Sequence, residues 1–284
     1  MINVYILGLP NQFRGERLID YFNNIGVEPH LVFGIDGRIN SDLIDQKSAP
    51  KKRIRYLVGR DLAKTEIANV LGHRLIYEEF LKTENEWALV LEDDSFPTQN
   101  FDLNSFNLKS FSTPLIINLS GIDQLIKEFG DLPCLLLSSH NISSTESEFY
   151  VYRTLGNTFG TWAYLINREA AKIAIHNFKS VDSTADWPHA WRAKVSFARP
   201  ERSLFTVSLE GSIIDQDRSI NTNFKVARTS ILKDNRIIKR TEKLLTFLGL
   251  LSFLAYLRGV SFKQHYKEKV VIPFLLRRVS SIDK

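Results

Sequence analysis

Short apolar runs alternate with longer stretches in which apolar residues recur every three or four positions. The short runs predict buried strands, and the longer stretches predict amphipathic helices. The predicted strands are Ile2–Leu7, His30–Phe33, Trp87–Leu91, Leu115–Leu119, Cys134–Leu137, Phe159–Ile166, Leu204–Val207 and Ser212–Ile214. The predicted helices are Glu16–Asn24, Thr65–Leu81 and a helix that Asn167 caps and that runs through Ile175. This alternation of strands and helices is typical of an α/β fold.

The first strand, helix and second strand have the spacing of a βαβ unit, so their strands are expected to be parallel. The helix that begins at Thr65 leads directly into the strand at Trp87, which gives a second unit. A mixed, mostly parallel sheet flanked by helices follows from this order. Residues 39–60 are polar and basic with weak periodicity, and they predict a mobile loop.

Three carboxylates, Glu92, Asp93 and Asp94, come directly after the strand at Trp87, and Pro97 marks the end of the strand. Neighbouring carboxylates repel each other at the edge of a core unless a cation is present. Ligands of open α/β sheets bind beyond the carboxyl ends of the strands, and Mg²⁺ or Mn²⁺ bridges carboxylates to phosphates. The triplet therefore predicts a metal–diphosphate site, with a solvated acidic turn as the alternative.

Other candidate site residues lie on the first loop and on the second helix. Arg14 and Arg17 follow the first strand, where basic groups could meet a diphosphate or simply be solvated. Glu66 and His73 are two helical turns apart and share one face of the helix. Either could serve as a general base, although a lone helix histidine is often structural.

Two further segments carry candidate chemistry. Gly160, Thr161 and Trp162 begin an aromatic strand that could stack on a sugar or belong to the core. Asp186 is a candidate base, and His189 is a candidate third metal ligand; either could equally be a turn residue.

Composition narrows the class of protein. The 284 residues are 44% hydrophobic and 24% charged, as in an ordinary globular protein. The single cysteine, Cys134, excludes an intrachain disulfide and a multi-cysteine metal site. The first apolar run lacks a preceding basic region and reads as a strand rather than a signal peptide, and no stretch reaches the roughly 20 apolar residues of a membrane span.

Charge divides the chain into two expected parts, a catalytic domain at 1–231 and an extension at 232–284. The extension has 12 basic and 4 acidic residues, whereas the domain has 25 basic and 28 acidic residues. This distribution argues against nucleic acid as a partner. Basic residues flank the uncharged run Leu244–Leu257, which predicts an amphipathic helix on an anionic membrane surface. A buried C-terminal helix is the alternative.

The order and spacing of several motifs resemble glycosyltransferase family 25, over most of residues 1–215. These motifs are the first strand followed by Arg17, Ile35-Asp36-Gly37, Leu62 through Glu66-Ile67, Gly72-His73, the run from Trp87 to Asp94, and Gly160 to Ile166 with Ala170-Ala171. The chain departs from the family pattern at Leu71-Gly72, where the family has a small residue and serine. It also has Leu9–Phe13 in place of an Arg-rich loop.

The resemblance implies a GT-A-like, Rossmann-like fold and inverting transfer of a hexose from a nucleotide sugar, with UDP-galactose as the first candidate. The implied acceptor is a lipooligosaccharide or lipopolysaccharide saccharide. By analogy with the metal-binding acidic motif of the family, Asp94 would bind Mn²⁺ or Mg²⁺ directly, while Glu92 and Asp93 would contact the ribose or the metal's waters. Glu92, Asp93 and His189 are the further candidate metal ligands. The residues expected to contact the nucleotide sugar are Leu7, Arg14, Arg17, Asp36, Glu92, Asp93, Asp94, Gly160, Thr161 and Trp162. Asp186 is the first choice of base, ahead of His73 and Glu66.

Two other functions fit the same residues. The triplet could activate water in a metal-dependent phosphohydrolase, or the protein could bind nucleotide sugars at a membrane without catalysis. The transferase interpretation places the protein in the cytoplasm, peripherally associated with the inner face of the bacterial cytoplasmic membrane.

Overall fold

The computed structural model describes residues 2–58, 61–99, 101–106, 108, 113–121, 123, 134–141, 150–156, 160–177, 180–185 and 194–207. Asp186, His189, the predicted strand Ser212–Ile214 and the extension 232–284 lie outside the described residues. Within the described ranges, no helix has both the length and the apolar character needed to cross a bilayer.

The strands predicted at Ile2, His30, Trp87 and Leu115 and the helices predicted at Glu16 and Thr65 are all present. The strands are β1 (Ile2–Gly8), β2 (His30–Phe33), β3 (Trp87–Glu92), β4 (Ser95–Pro97), β5 (Leu115–Asn118), β6 (Cys134–Asn141), β7 (Tyr150–Gly156), β8 (Ala163–Asn167), β9 (Ser196–Pro200) and β10 (Phe205–Val207). The helices are α1 (Glu16–Asn24), α2 (Ser41–Lys47), α3 (Lys51–Val58), α4 (Lys64–Leu81) and α5 (Arg168–Asn177), with a 3₁₀ turn at Leu103–Ser105.

Eight strands form one mixed sheet in the order β2-β1-β3-β8-β5-β9-β7-β6, and β4 pairs with β10 separately. Within the described ranges, β1 is parallel to both β2 and β3, and β5 is parallel to β9. The other four pairs of the large sheet are antiparallel, because β8 inserts between β3 and β5 and because β6 and β7 pair with each other. The α/β fold with a mixed sheet flanked by helices is confirmed.

Strand β3 lies between β1 and β8 and is buried on both faces. Ala88 and Val90 pack into the cluster that contains α4 and α5, whereas Leu89 and Leu91 pack into the cluster that contains α1. Burial on both faces explains why the sequence of β3 is a continuous apolar run. The first polar residues of this segment therefore appear at the carboxyl end of the strand, beside the end of β1.

The predicted loop at residues 39–60 is wrong, because this segment contains α2 and α3. Few apolar side chains anchor these helices. Among the described side chains of α2 and α3, Ile44 and Ile54 are the buried ones. Backbone hydrogen bonds supply a second anchor. The Ala49 N–H donates to the Val181 carbonyl at 2.9 Å, and the Val181 N–H donates to Lys47 at 2.9 Å. Such long-range pairing leaves no trace in local periodicity.

Candidate active site

A cavity of about 150 Å³ opens at the carboxyl ends of β1, β2 and β3 and is closed on one side by α4. Its lining residues are Leu7, Gly8, Leu9, Gln12, Arg14, Gly34, Ile35, Asp36, Gly37, Thr65, Ala68, Asn69, Gly72, Glu92, Asp93 and Asp94. This is the end of the sheet at which open α/β folds bind ligands. The position of the acidic triplet at a cleft is therefore as the sequence predicts.

Glycines let neighbouring side chains pack closely against the backbone along the cavity wall. A Cβ at Gly8 would lie 2.5 Å from the Phe13 ring and 3.0 Å from the Asp93 carboxylate. A Cβ at Gly72 would lie 3.0 Å from Leu7, and one at Gly34 would lie 3.3 Å from the same leucine. Larger residues at these positions would push into the cavity or displace Leu7.

Arg14 binds both aspartates of the triplet. Its Nη2 lies 3.1 Å from Asp93 Oδ1 and 3.0 Å from Asp94 Oδ2, and its backbone N–H donates to Asp93 Oδ2 at 3.2 Å. The second oxygen of Asp94, Oδ1, is buried and has no hydrogen-bond partner in the described part of the chain. Asp94 therefore presents one carboxylate oxygen to which none of the described residues donates.

Burial and like charge change the ionisation of the two aspartates. Burial, together with the neighbouring Glu92 charge, raises the pKa of Asp94 to about 7 although Arg14 opposes the change. Burial also raises the pKa of Asp93, against the attraction of Arg14. Burial removes the water that would stabilise the ionised carboxylate. A buried carboxylate with a raised pKa therefore favours binding of a cation in addition to Arg14.

Glu92 is oriented differently from the two aspartates. Its Oε1 accepts hydrogen bonds from Thr161 Oγ1 at 2.8 Å and from Asn69 Nδ2 at 3.4 Å, and it lies 3.1 Å from His73 Nε2. Burial of Glu92 raises its pKa, but His73 and Thr161 outweigh this effect, so the pKa lies below its ordinary value. Glu92 is an ionised hydrogen-bond acceptor on the cavity wall.

A chain of buried groups continues from His73 away from the cavity. The second ring nitrogen, Nδ1, lies 2.8 Å from the Tyr164 hydroxyl, which lies 2.7 Å from the Tyr77 hydroxyl. His73 and Tyr77 are on α4, and Tyr164 is on β8. All three side chains are at most 1% exposed. Burial raises the pKa of both tyrosines, so both hydroxyls stay protonated.

A family model described as glycosyltransferase family 25 (LPS biosynthesis protein) matches residues 1–187 of the chain. The chain belongs to glycosyltransferase family 25. The resemblance drawn from the sequence motifs is thus confirmed. The family match includes every residue that lines the cavity.

Among solved structures, the chain is similar to the crystal structure of a glycosyltransferase involved in the glycosylation of the major capsid of PBCV-1. The two share 13% sequence identity with a TM-score of 0.31, and the match covers 62% of this chain and 65% of that chain. The match thus spans less than two thirds of that protein. No curated protein sequence matches this chain significantly.

The resemblance to glycosyltransferase family 25 implies Mn²⁺ or Mg²⁺, and the acidic residues fit such an ion only in part. Asp93 and Asp94 share Arg14, whereas Glu92 Oε1 is turned toward His73 and Thr161. That all three acids bind one ion stays a prediction. Within the described ranges, no three His, Cys, Asp or Glu side chains form a metal cage. Of the three acids, Asp94 is the one with a buried oxygen to which no described residue donates. One or two carboxylates suffice for Mg²⁺ when substrate phosphates complete its coordination.

Several predicted contacts with the nucleotide sugar lie away from the cavity. Arg17 is exposed, and its guanidinium lies 6.0 Å from the centre of the Phe96 ring. Trp162 is buried in the α1-side cluster and does not form a sugar-stacking surface. Gly160 has a φ of +91°, which a glycine adopts readily, and its absent side chain leaves room for the Trp162 ring. Leu7, Arg14 and Asp36 line the cavity, and their contact with the nucleotide sugar stays a prediction.

The two helix residues predicted as bases have other contacts. Glu66 Oε2 accepts a hydrogen bond from the Ala63 N–H at 2.9 Å, which is the glutamate half of a capping box at the start of α4. Glu66 and His73 are buried, and neither lines the cavity. Their positions do not support a direct role as base.

The polar and glycine positions on the cavity wall that sequence reasoning missed include Gly8, Gln12, Gly34, Thr65 and Asn69. Thr65, Asn69 and Gly72 are spaced by four and three residues, so they share one helical face. This spacing was a usable signal, because small and polar residues interrupt the apolar pattern of α4 along that face. Gln12 and Gly34 have no comparable pattern.

Proposed function

We propose that this protein is an inverting glycosyltransferase that moves a hexose from a nucleotide sugar onto a saccharide acceptor. UDP-galactose is the first candidate for the nucleotide sugar, and lipooligosaccharide or lipopolysaccharide is the first candidate for the acceptor. Membership in glycosyltransferase family 25 supports the reaction class. The description of the family as an LPS biosynthesis protein supports the choice of acceptor.

One observation carries the proposal: no described residue donates to the buried Asp94 Oδ1, which lies beside Arg14 at a cavity between the ends of β1 and β3. An unpaired buried carboxylate oxygen is costly, and such a cost is typically retained where a ligand offsets it. A divalent cation and the diphosphate of a nucleotide sugar supply that partner. Arg14 lies close enough to contact the same diphosphate.

The chemistry requires two things of the chain. When the bond between the anomeric carbon and the diphosphate breaks, negative charge grows on the diphosphate, and a divalent ion held by Asp94 would neutralise it. Arg14 adds a fixed positive charge beside Asp94. On the opposite face of the sugar, a base must take the proton of the acceptor hydroxyl. Asp186 remains the predicted base and lies outside the described residues.

The extension at 232–284 supports a proposed place for the reaction. Its 12 basic and 4 acidic residues would bind anionic headgroups, which would keep the enzyme at the cytoplasmic face of the membrane beside a glycolipid acceptor. Sedimentation with vesicles of anionic lipid tests this. The full chain should sediment and residues 1–231 should stay in solution; equal sedimentation would contradict the proposal.

A screen of nucleotide sugars tests the reaction itself. Release of UDP is measured with UDP-galactose, UDP-glucose and UDP-N-acetylglucosamine, each with and without Mn²⁺ and with and without a truncated lipooligosaccharide. We expect fast release to require both Mn²⁺ and acceptor, and Asp94→Ala to abolish it. Release that is equally fast without acceptor would instead indicate a phosphohydrolase. Metal-dependent release that Asp94→Ala retains would refute the site.

A further inference from the structure

The Glu92 carboxylate is held from one side only. Thr161, Asn69 and His73 all contact Oε1, and no donor among the described residues contacts Oε2. Glu92 lines the cavity, and its side chain is 21% exposed. The anchored oxygen is therefore Oε1, and Oε2 is the oxygen that remains available to a ligand.

The hydrogen-bond chain behind Glu92 has a defined direction when His73 is neutral. An ionised carboxylate only accepts, so His73 Nε2 must carry the proton that faces Glu92. His73 Nδ1 then has a free lone pair and accepts from the Tyr164 hydroxyl. The Tyr164 oxygen in turn accepts from the Tyr77 hydroxyl. Each member fixes the orientation of the next, from Tyr77 at the back to Glu92 at the cavity.

We infer that Tyr77, Tyr164 and His73 form a positioning relay that presents Glu92 Oε2 to the cavity as an acceptor for a hydroxyl group of the nucleotide sugar. This inference rests on the proposed function. Glu92 touches the substrate, and the three buried residues act through it. The resemblance to glycosyltransferase family 25 already implies a contact between Glu92 and the ribose, so the relay behind Glu92 is the new part of the inference. A hydroxyl group on the ribose or one on the hexose has the required chemistry.

The relay matters because a carboxylate on a flexible glutamate side chain otherwise loses rotamer freedom when it binds a hydroxyl group. Three contacts on Oε1 and a buried support behind His73 remove that freedom before the ligand arrives. The relay also spans two elements, since Tyr164 is on β8 and the other two residues are on α4. The geometry at Glu92 therefore depends on how α4 packs on the sheet.

Tyr164→Phe tests the relay with little change in volume. It removes the hydroxyl group that donates to His73 Nδ1 and leaves the ring in place. Tyr5→Phe is the matched control, because Tyr5 is equally buried in the same sheet and its hydroxyl contacts Asn3, away from Glu92. Thermal unfolding of both variants reports their stability. Calorimetric titration with UDP and with UDP-galactose, in the presence of Mn²⁺, reports binding.

We expect Tyr164→Phe to weaken binding by about tenfold, which corresponds to about 1.4 kcal/mol. Tyr5→Phe should stay within about twofold of the unchanged protein. If Glu92 contacts the ribose, both ligands bind more weakly; if it contacts the hexose, only UDP-galactose does. Glu92→Gln should reduce affinity for the same ligands.

A double-mutant cycle separates positioning from a general structural effect. If Tyr164 acts through Glu92, adding Tyr164→Phe to Glu92→Gln causes no further loss of affinity. Additive losses, or equal binding by Tyr164→Phe and Tyr5→Phe, would overturn the relay while leaving the proposed function intact. Failure of the unchanged protein to bind either ligand would overturn the proposed function, and the inference with it.

Discussion

Arg14 Nη2 lies 3.0 Å from Asp94 Oδ2, while the other carboxylate oxygen of Asp94 is buried without a donor in the described part of the chain. Arg14 thus contacts one carboxylate oxygen of Asp94, and the other oxygen is available to a ligand. This asymmetry connects the fold to the proposed chemistry, because it exists only where the ends of β1 and β3 meet.

The raised pKa of Asp94 predicts how stability depends on pH. Its pKa is near 4 in the unfolded chain and about 7 in the folded protein, so Asp94 favours folding most below about pH 4. That contribution is lost as the pH rises from about 4 to about 7. Without divalent ions, the stability of Asp94→Asn relative to the unchanged protein should therefore rise over this range, by about 2–4 kcal/mol.

Chemical denaturation at a series of pH values measures this difference. Asp20→Asn is the control. It is the same substitution as Asp94→Asn, but Asp20 is exposed on α1, away from the cavity. The explanation fails if the Asp94→Asn and Asp20→Asn curves stay parallel across the range.

Replacing Arg14 should increase the extent to which Mn²⁺ stabilises the folded protein. Arg14→Gln removes the cation from Asp93 and Asp94, which are 10% and 13% exposed. We expect a loss of roughly 1–2 kcal/mol, less than for a fully buried pair because Arg14 itself is 36% exposed. Millimolar Mn²⁺ should then raise the unfolding temperature of Arg14→Gln more than that of the unchanged protein. Equal increments in both proteins would show that the aspartates do not bind the ion.

Gly37→Ala tests how closely the loop after β2 must approach the start of α4. A Cβ at Gly37 would lie 2.5 Å from the Lys64 carbonyl oxygen and 2.9 Å from the Thr65 nitrogen, both of them backbone atoms. Gly37→Ala must therefore shift the cavity wall and should cost about 1–3 kcal/mol in stability. UDP affinity should fall as well. Gly26→Ala provides a contrast, since Gly26 has open space around it but a φ of +75°; it should lose stability while keeping its affinity for UDP.

Glu66 should prove structural. Because its carboxylate caps α4 through the Ala63 N–H, Glu66→Gln keeps an oxygen acceptor and should keep kcat within about threefold. Glu66→Ala should lower stability by about 0.5–2 kcal/mol. If Glu66 were the general base, Glu66→Gln would instead lower kcat by a factor of roughly 10²–10⁴. Parallel measurements of kcat and thermal unfolding separate the two outcomes.

Local pattern was sufficient to predict the part of the fold that builds the cavity. The helix predicted at Glu16–Asn24 and the strand at His30–Phe33 have the predicted bounds, and α4 begins one residue earlier than expected. Asn167 caps α5 as predicted, with Oδ1 accepting from the Ala170 N–H at 3.0 Å. These elements are strongly periodic or have clear end signals, so short-range physics determines them.

The features of the fold that the sequence did not predict depend on contacts between residues far apart along the chain. Helices α2 and α3 depend on pairing with Val181, more than 100 residues away along the chain. The direction of Glu92 depends on Thr161 and His73, so three consecutive acids that look equivalent in the sequence differ in the fold. Trp162 resembled a sugar platform in the sequence, but it directly precedes β8 and is buried in the cluster that contains α1, which the local pattern does not reveal.

The most direct test of the metal–diphosphate site is the affinity for UDP measured by calorimetry with Mn²⁺ and with EDTA. For the unchanged protein, we predict that Mn²⁺ strengthens UDP binding by at least about tenfold. Asp94→Asn should lose that gain, and the exposed control Asp20→Asn should keep it. If Mn²⁺ strengthens UDP binding equally in Asp94→Asn and in the unchanged protein, Asp94 does not hold the ion and the proposed site is wrong.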